Sequence, residues 1–223
     1  MNHSLYTALG GKMIKITRGI SQILFLLIFI VLMITGKAQL WMGFIFLSII
    51  FAVFFGRFYC GWACPINTVM KPFAWMSKKL GLQRKQVPKV LKIGKIRMAV
   101  FALFLVGLGY TIYTITQGRK FPLPLIIIPM GVITAFFINE RSWHRYLCPW
   151  GVLFGITSRF SKRTIKSKSG CLSCSVCEGI CPGEAIKVEK NKKASVDPRH
   201  CLLCMDCTTA CPVKVLTYKN SEK

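Results

Sequence analysis

Eleven cysteines carry the clearest chemistry in this chain of 223 residues. Eight of them form two quartets with the spacing Cys-x2-Cys-x2-Cys-x3-Cys-Pro, and the second quartet repeats the first thirty positions later. The quartets are Cys171, Cys174, Cys177 and Cys181, followed by Pro182, and Cys201, Cys204, Cys207 and Cys211, followed by Pro212. Thiolates at this spacing are ligands of 4Fe-4S clusters. The sequence therefore predicts two 4Fe-4S clusters.

The spacing also predicts which thiolates share a cluster. In domains with two such clusters, the fourth cysteine of each quartet ligates the cluster of the other quartet. One predicted set is Cys171, Cys174, Cys177 and Cys211, and the other is Cys201, Cys204, Cys207 and Cys181. Zinc is the alternative, because Cys-x2-Cys pairs also bind zinc, but the complete spacing and the Cys-Pro ending favour clusters.

The last fifty residues are too few to build a large apolar core, so we expect the clusters to hold them folded. Each half should contain a ligand loop, a short helix and a strand, with strands within 185–188 and 213–218. This segment resembles bacterial two-cluster ferredoxins, which implies a small α+β domain. Soluble ferredoxins are usually acidic and this segment is basic, which suggests docking to a membrane or to an acidic partner.

The rest of the chain is typical of a membrane protein. Residues 17–35, 40–58, 97–117 and 121–138 are apolar stretches close to the 20 or so residues that a helix needs to span a bilayer. The last stretch contains Pro122, Pro124 and Pro129, so a re-entrant loop is its alternative. Lys12, Lys15 and Arg18 precede the first stretch as in a signal peptide, but no convincing cleavage site follows it. We therefore expect a retained first helix and four spans in contact with lipid.

Charge predicts the orientation of these spans. Lys and Arg total 31 against 7 Asp and Glu, and no acidic residue precedes Glu140. The cations concentrate in the N-terminal tail, in 71–97 and in 141–168, whereas the intervening turns hold only Lys37, Arg119 and Lys120. By the positive-inside rule, both termini and the cluster domain are cytoplasmic in a multi-pass protein of the inner membrane. The same rule accounts for the cations without nucleic acid as a partner.

Three segments follow from this division of the chain. Residues 1–157 are predicted to form an all-α transmembrane domain of four helices, and residues 158–169 a basic linker. Residues 170–223 are predicted to form the ferredoxin-like domain with two clusters.

The remaining three cysteines lie in two related motifs after the second and fourth apolar stretches. Cys60, Cys64 and Pro65 align with His144, Cys148 and Pro149 at an offset of 84 residues. The membrane domain is therefore predicted to be a tandem repeat of a helix pair followed by a motif. Soft thiolates and an imidazole are ligands for iron, copper or zinc, so Cys60, Cys64, His144 and Cys148 form a candidate third metal site. A redox dithiol of Cys60 and Cys64, or simple packing of small buried residues, are the alternatives.

The chain resembles the NapH and MauN family of ferredoxin-type quinol dehydrogenase subunits in the segments YCGWACPIN and RYLCPWG, the four apolar stretches and the trailing cluster domain. The likeness covers nearly the whole chain. It implies a membrane iron-sulfur protein that relays electrons between the quinol pool and a partner redox enzyme. The family's second motif commonly begins with cysteine, whereas this chain has His144 there, which leaves the role of that motif open.

The resemblance makes quinone a candidate ligand near the Cys-Pro motifs and the chain a candidate electron-transfer subunit of a quinol dehydrogenase. Arg57 and Arg141 are candidate contacts to a quinone headgroup, although arginines at a membrane edge more often snorkel to the interface, as we expect of these two. The competing function is metal handling, in which cluster electrons reduce or move copper or another ion through the Cys-Pro motif pair, as in a maturation factor.

Overall fold

The computed structural model describes residues 3–84, 87–117 and 123–220. Most of them are helical. The helices are α1 (His3–Ile34), α2 (Ala38–Phe55), α3 (Phe58–Trp62), α4 (Pro65–Lys79), α5 (Gly94–Thr116), α6 (Leu123–Phe137), α7 (Glu140–Ser142), α8 (Pro149–Ser158), α9 (Val176–Ile180) and α10 (Asp206–Ala210). The strands are β1 (Arg163–Ser167), β2 (Ile186–Lys187), β3 (Ser195–Val196) and β4 (Leu216–Asn220). The chain divides into two compact units, residues 1–65 with 153–223, and residues 66–152.

Within the described part of the chain, three helices are long and apolar enough to cross a membrane. Their spanning segments are Gly11–Ile34, Ala38–Phe55 and Gly94–Thr114, which match the first three predicted stretches. The fourth stretch was predicted from residue 121, and its first two residues lie outside the described part of the chain. From Leu123 it forms α6, an apolar helix of 15 residues that contains Pro129. This is shorter than the roughly 20 residues needed to span a bilayer.

The first unit begins with a helical hairpin. A turn at Thr35–Lys37 joins α1 to α2, and Gly36 has the positive φ of 71° that lets the chain reverse. Aromatic rings hold the two helices together, with Trp41 of α2 packed edge-on against Phe29 of α1 at 5.2 Å between centroids. The indole N–H of Trp41 donates to the hydroxyl of Tyr59 over 3.1 Å, and this bond connects α3 to α2.

The same unit contains a small domain of two-stranded antiparallel sheets. β1 pairs with β4, and β2 pairs with β3. Since β1 and β2 flank the first cysteine quartet and β3 and β4 flank the second, each sheet takes one strand from each half of the domain. The pairing therefore joins the halves without a large core.

Strand β1 lies within 158–169, the segment predicted as a basic linker. Its inward face carries Ile165, which is 2% exposed in the core that the two quartets surround. One buried isoleucine among cations gives too weak an alternation to predict a strand. The segment that leads into the first quartet is thus part of the cluster domain's sheet.

The second unit contains α4, α5, α6 and α7 with two short turns. One is a 3-10 turn at Lys89–Lys92, and the other is a π-helical turn at Trp143–Leu147. Gly131 of α6 permits close packing, because a Cβ there would lie 3.0 Å from Ile66 and 3.3 Å from the ring of Trp143. The side chain of Gln83 donates to the carbonyl of Ala135 over 2.8 Å, which ties the segment after α4 to α6.

Candidate iron-sulfur centre

Both cysteine quartets adopt the same backbone conformation. Positive φ values recur at the same three positions of each half, at Ser173, Ser175 and Glu184 and, thirty residues later, at Leu203, Met205 and Lys214. The last cysteine of each quartet ends a short helix with a φ of −68°, and ψ is 113° at Cys181 and 118° at Cys211. A left-handed conformation costs a non-glycine residue roughly 1–2 kcal/mol. Its repetition at equivalent positions indicates that both loops are shaped for the same kind of ligand.

A pocket opens to the surface beside the first quartet. Its lining includes Cys171, Cys174 and Cys177 from the first quartet and Cys211 from the second. The remaining lining residues are mostly apolar. The structure therefore brings together the four thiols of one predicted ligand set around a single open space.

The thiols of the other predicted set also lie near one another. Burial raises the pKa of the Cys201 thiol to about 11, and the neighbouring Cys181 adds to this increase. Burial likewise raises the pKa of Cys207, with further contributions from Cys201 and Cys181. The backbone N–H of Ala185 donates to the sulfur of Cys181 over 3.3 Å, a bond that also stabilises a thiolate.

The two sets differ in their surroundings. Hydrogen bonding from the backbone at Ser173 and Ala194 lowers the pKa of Cys171, whereas burial raises the pKa of Cys177. Burial also raises the pKa of Cys204 well above its usual value. Cluster ligands must be thiolates, so cluster assembly displaces protons from the buried thiols. The buried thiols and the N–H donors to sulfur fit 4Fe-4S clusters.

The second quartet is covered by the helices of its own unit. The indole N–H of Trp62 donates to the carbonyl of Leu203 over 3.0 Å. Gly61 contacts the carbonyl of Leu202 so closely that a Cβ there would overlap it. Arg18 of α1 forms an ion pair of 3.0 Å with Asp206 at the start of α10. The Cys60 motif and α1 are therefore held directly against one of the two cysteine quartets.

Arg57 does not snorkel, contrary to the sequence-based expectation. Its side chain is 1% exposed, and its guanidinium donates to the carbonyl of Arg199 over 3.0 Å and contacts the sulfur of Cys60 at 3.8 Å. Its Nε has no hydrogen-bond partner among the described residues. The charge of Arg57 also reaches the Cys201 thiol, where it partly opposes the rise in pKa caused by burial. Sequence reasoning missed this role because Arg199 and Cys201 lie more than 140 residues from Arg57 in the chain.

The two Cys-Pro motifs share a local backbone geometry. The N–H of Cys64 donates to the carbonyl of Tyr59 over 3.0 Å, and the N–H of Cys148 donates to that of Trp143 over 2.8 Å. Each bond spans five residues, and the proline after each cysteine starts a helix, α4 or α8. Cys60 and Cys64 belong to the first unit, whereas His144 and Cys148 belong to the second. The third metal site stays a prediction.

Comparison with protein families agrees with the cysteine motifs. A family described as "4Fe-4S binding domain" matches residues 38–83 and 121–168. A second family, described as "4Fe-4S dicluster domain", matches residues 170–215. No solved structure matches the chain.

Comparison with curated proteins gives relatives of the same kind. An uncharacterized protein of Methanocaldococcus jannaschii is 26% identical over 94% of this chain and 98% of its own length. The ferredoxin-type protein NapH of Haemophilus influenzae is 26% identical over 75% of this chain and 64% of NapH. The methylamine utilization ferredoxin-type protein MauN of Methylorubrum extorquens is 29% identical over 56% of this chain, and the match spans about half of that protein (47%). These relatives and the apolar helices identify an iron-sulfur electron-transfer protein of a membrane.

Proposed function

We propose that this chain, a ferredoxin-type 4Fe-4S protein similar to NapH and MauN, relays electrons between the membrane quinol pool and a partner redox enzyme. The observation that carries the proposal is the contact between the Cys60 motif and the second quartet, through Trp62 and Leu203. This contact holds one cluster site against the end of the α1–α2 hairpin, while the cavity of the other site opens to the surface. An electron path from the membrane to a partner requires one site next to the membrane helices and another near the protein surface.

The proposal includes two clusters with crossed ligands. Cys171, Cys174, Cys177 and Cys211 would hold one, which the shared cavity supports. Cys201, Cys204, Cys207 and Cys181 would hold the other, which the mutual effect of their thiols supports. Bound clusters of this kind accept and donate single electrons. The surrounding backbone N–H groups and cations stabilise the thiolate ligands.

We further propose that the membrane domain is a repeat of two helix pairs with the cluster domain on the cytoplasmic side. The matching hydrogen bonds at Cys64 and Cys148, and the family that matches the chain twice, support the repeat. The cluster domain packs at the end of the hairpin that holds the beginning of α1 and the end of α2. The N-terminus and the cluster domain would therefore share one side of the bilayer, and the distribution of cations favours the cytoplasm.

Purified full-length protein in lipid nanodiscs tests the quinol relay. Its clusters are first reduced chemically, and a water-soluble quinone is then added under anaerobic conditions. We expect the EPR signals of the reduced clusters to disappear and the quinone to be reduced. A protein that contains about eight irons and is reoxidised by ferricyanide, but not by any quinone, would contradict the proposal.

Three cysteine variants locate the step. Cys60→Ser changes one atom beside the second quartet and should slow reoxidation by quinone while both cluster signals remain. Cys211→Ser and Cys181→Ser should each remove a different cluster, because each supplies the fourth ligand to the opposite set. Metal analysis of the same samples tests the third site, since a stoichiometric copper or zinc ion would indicate metal handling instead.

A further inference from the structure

The two halves of the cluster domain present equivalent faces to very different surroundings. We call the face of Leu202, Cys204, Met205 and Asp206 the proximal face. The equivalent face of Leu172, Cys174, Ser175 and Val176, thirty residues earlier, is the distal face. Because the two loops share one backbone conformation, a difference in exposure between equivalent side chains shows which face is covered by other parts of the chain.

The proximal face is an interface within the chain. The carbonyl of Leu202 contacts Gly61, and the carbonyl of Cys204 accepts a hydrogen bond from Arg18. Arg18 also pairs with the carboxylate of Asp206. As a result Leu202 is only 3% exposed. This face therefore packs against α1 and α3 and holds one cluster site next to these helices.

The distal face has the same shape without a cover. Leu172 is 65% exposed where its equivalent Leu202 is buried. Val176 is 42% exposed and stands where the proximal face has Asp206. Both line the open cavity of the first ligand set together with Val213, which is 41% exposed. Exposed apolar side chains grouped around an exposed ligand, Cys174, mark an interaction surface rather than a solvated one.

Lysines stand next to several residues of this apolar centre in the sequence, and Lys187 and Lys193 are exposed. Three lysines adjoin residues of the cavity lining, with Lys187 next to Val188, Lys193 next to Ala194 and Lys214 next to Val213. In 171–194 and 212–216 there are five lysines and three glutamates, and one of these glutamates, Glu189, pairs with Lys192 at 2.6 Å. The rim therefore presents positive charge to a partner.

We propose that the distal face docks a separate redox protein whose own contact surface has an apolar centre and a rim of carboxylates. This inference rests on the proposed electron relay and names its outer contact. Apolar contact at Leu172 and Val176 would bring the partner's cofactor close to the first ligand set, and the lysines would steer its approach. One electron passes between the two proteins, so one is oxidised as the other is reduced and no bond forms or breaks.

Electron transfer to two soluble probes tests the proposal. The full-length protein in detergent is reduced with dithionite, freed of excess reductant and mixed in a stopped-flow instrument with oxidised flavodoxin, which is acidic, or with a basic c-type cytochrome. We expect the second-order rate constant for flavodoxin to fall as salt is added, and that for the cytochrome to rise or stay flat. Leu172→Gln and Val176→Gln should each lower the flavodoxin rate about tenfold, the effect of losing a central interface contact.

The matched control is Ile180→Gln, because Ile180 is 39% exposed on the same helix, α9, but does not line the cavity. It should leave the rate unchanged, and all three variants should keep their iron content. Because the reductant is chemical, failure of the quinone reaction does not affect this test. Unchanged flavodoxin rates in both distal-face variants would overturn the docking site. Dissociation of a dimer by Leu172→Gln would instead assign the face to a second copy, and loss of vesicle binding would assign it to lipid.

Discussion

Replacing Arg57 with glutamine should lower the reduction potential of one cluster and leave the other nearly unchanged. The guanidinium is almost fully buried, and among the described residues no carboxylate forms an ion pair with it. It lies close enough to Cys201 to influence that thiol electrostatically. A cluster held by thiolates gains negative charge when it is reduced, so a buried cation beside it favours the reduced state.

The size of the effect follows from Coulomb's law. If the guanidinium and the added charge are taken to be about 8 Å apart in an effective dielectric constant of about 20, they interact by roughly 2 kcal/mol. For a one-electron couple this corresponds to a fall of about 90 mV in the potential of the cluster near Cys201. Arg57 affects the pKa of Cys201 but is not among the groups that shift the pKa of Cys171 or Cys177, so the potential of the cluster of the first ligand set should shift by much less.

An EPR-monitored redox titration of the full-length protein measures both potentials. Arg57→Lys retains the charge and should stay within about 30 mV of the unmodified protein, a fraction of the full charge effect. Lys37→Gln removes an exposed cation from the α1–α2 turn and controls for a change in net charge. The reasoning would fail if Arg57→Gln retained its iron but moved both potentials equally, moved neither, or raised the potential near Cys201.

The contacts between the helices and the second quartet give three further predictions. Gly61→Ala should lower the free energy of unfolding of the cluster domain by about 1–3 kcal/mol, because the added methyl group would overlap the carbonyl of Leu202. The control is Gly43→Ala in α2, where an added Cβ would meet nothing within 4 Å, and it should leave the stability of the cluster domain unchanged. The two variants are compared by the temperature at which the cluster absorbance is lost. A double-mutant cycle of Arg18→Gln and Asp206→Asn, measured by hydrogen exchange in α10, should give a coupling free energy of roughly 1 kcal/mol. A coupling of zero would show that the ion pair does not stabilise α10. Removal of iron by a chelator should open the segment 163–220 to protease while the helices of the membrane domain stay resistant.

Local spacing allowed much of the chemistry to be predicted from the sequence. The spacing of the cysteines within each quartet predicted 4Fe-4S binding, which the matching families support, because the spacing of such residues is a local property of the sequence. The first three apolar stretches were also predictable, since a membrane sets the length and composition of a helix without reference to its neighbours. The strand at Ile165 was not predictable, because its partner strand begins fifty residues later.

The different environments of the two cysteine quartets were decided by tertiary structure alone. In sequence the quartets are equivalent, and nothing in their spacing distinguishes Leu172 from Leu202. The fold distinguishes them by placing Trp62 and Arg18 against the second quartet, across 141 and 186 residues of chain respectively. Burial and electrostatic contact depend on which distant segments meet, and that information lies in the packing of the whole unit rather than in any motif.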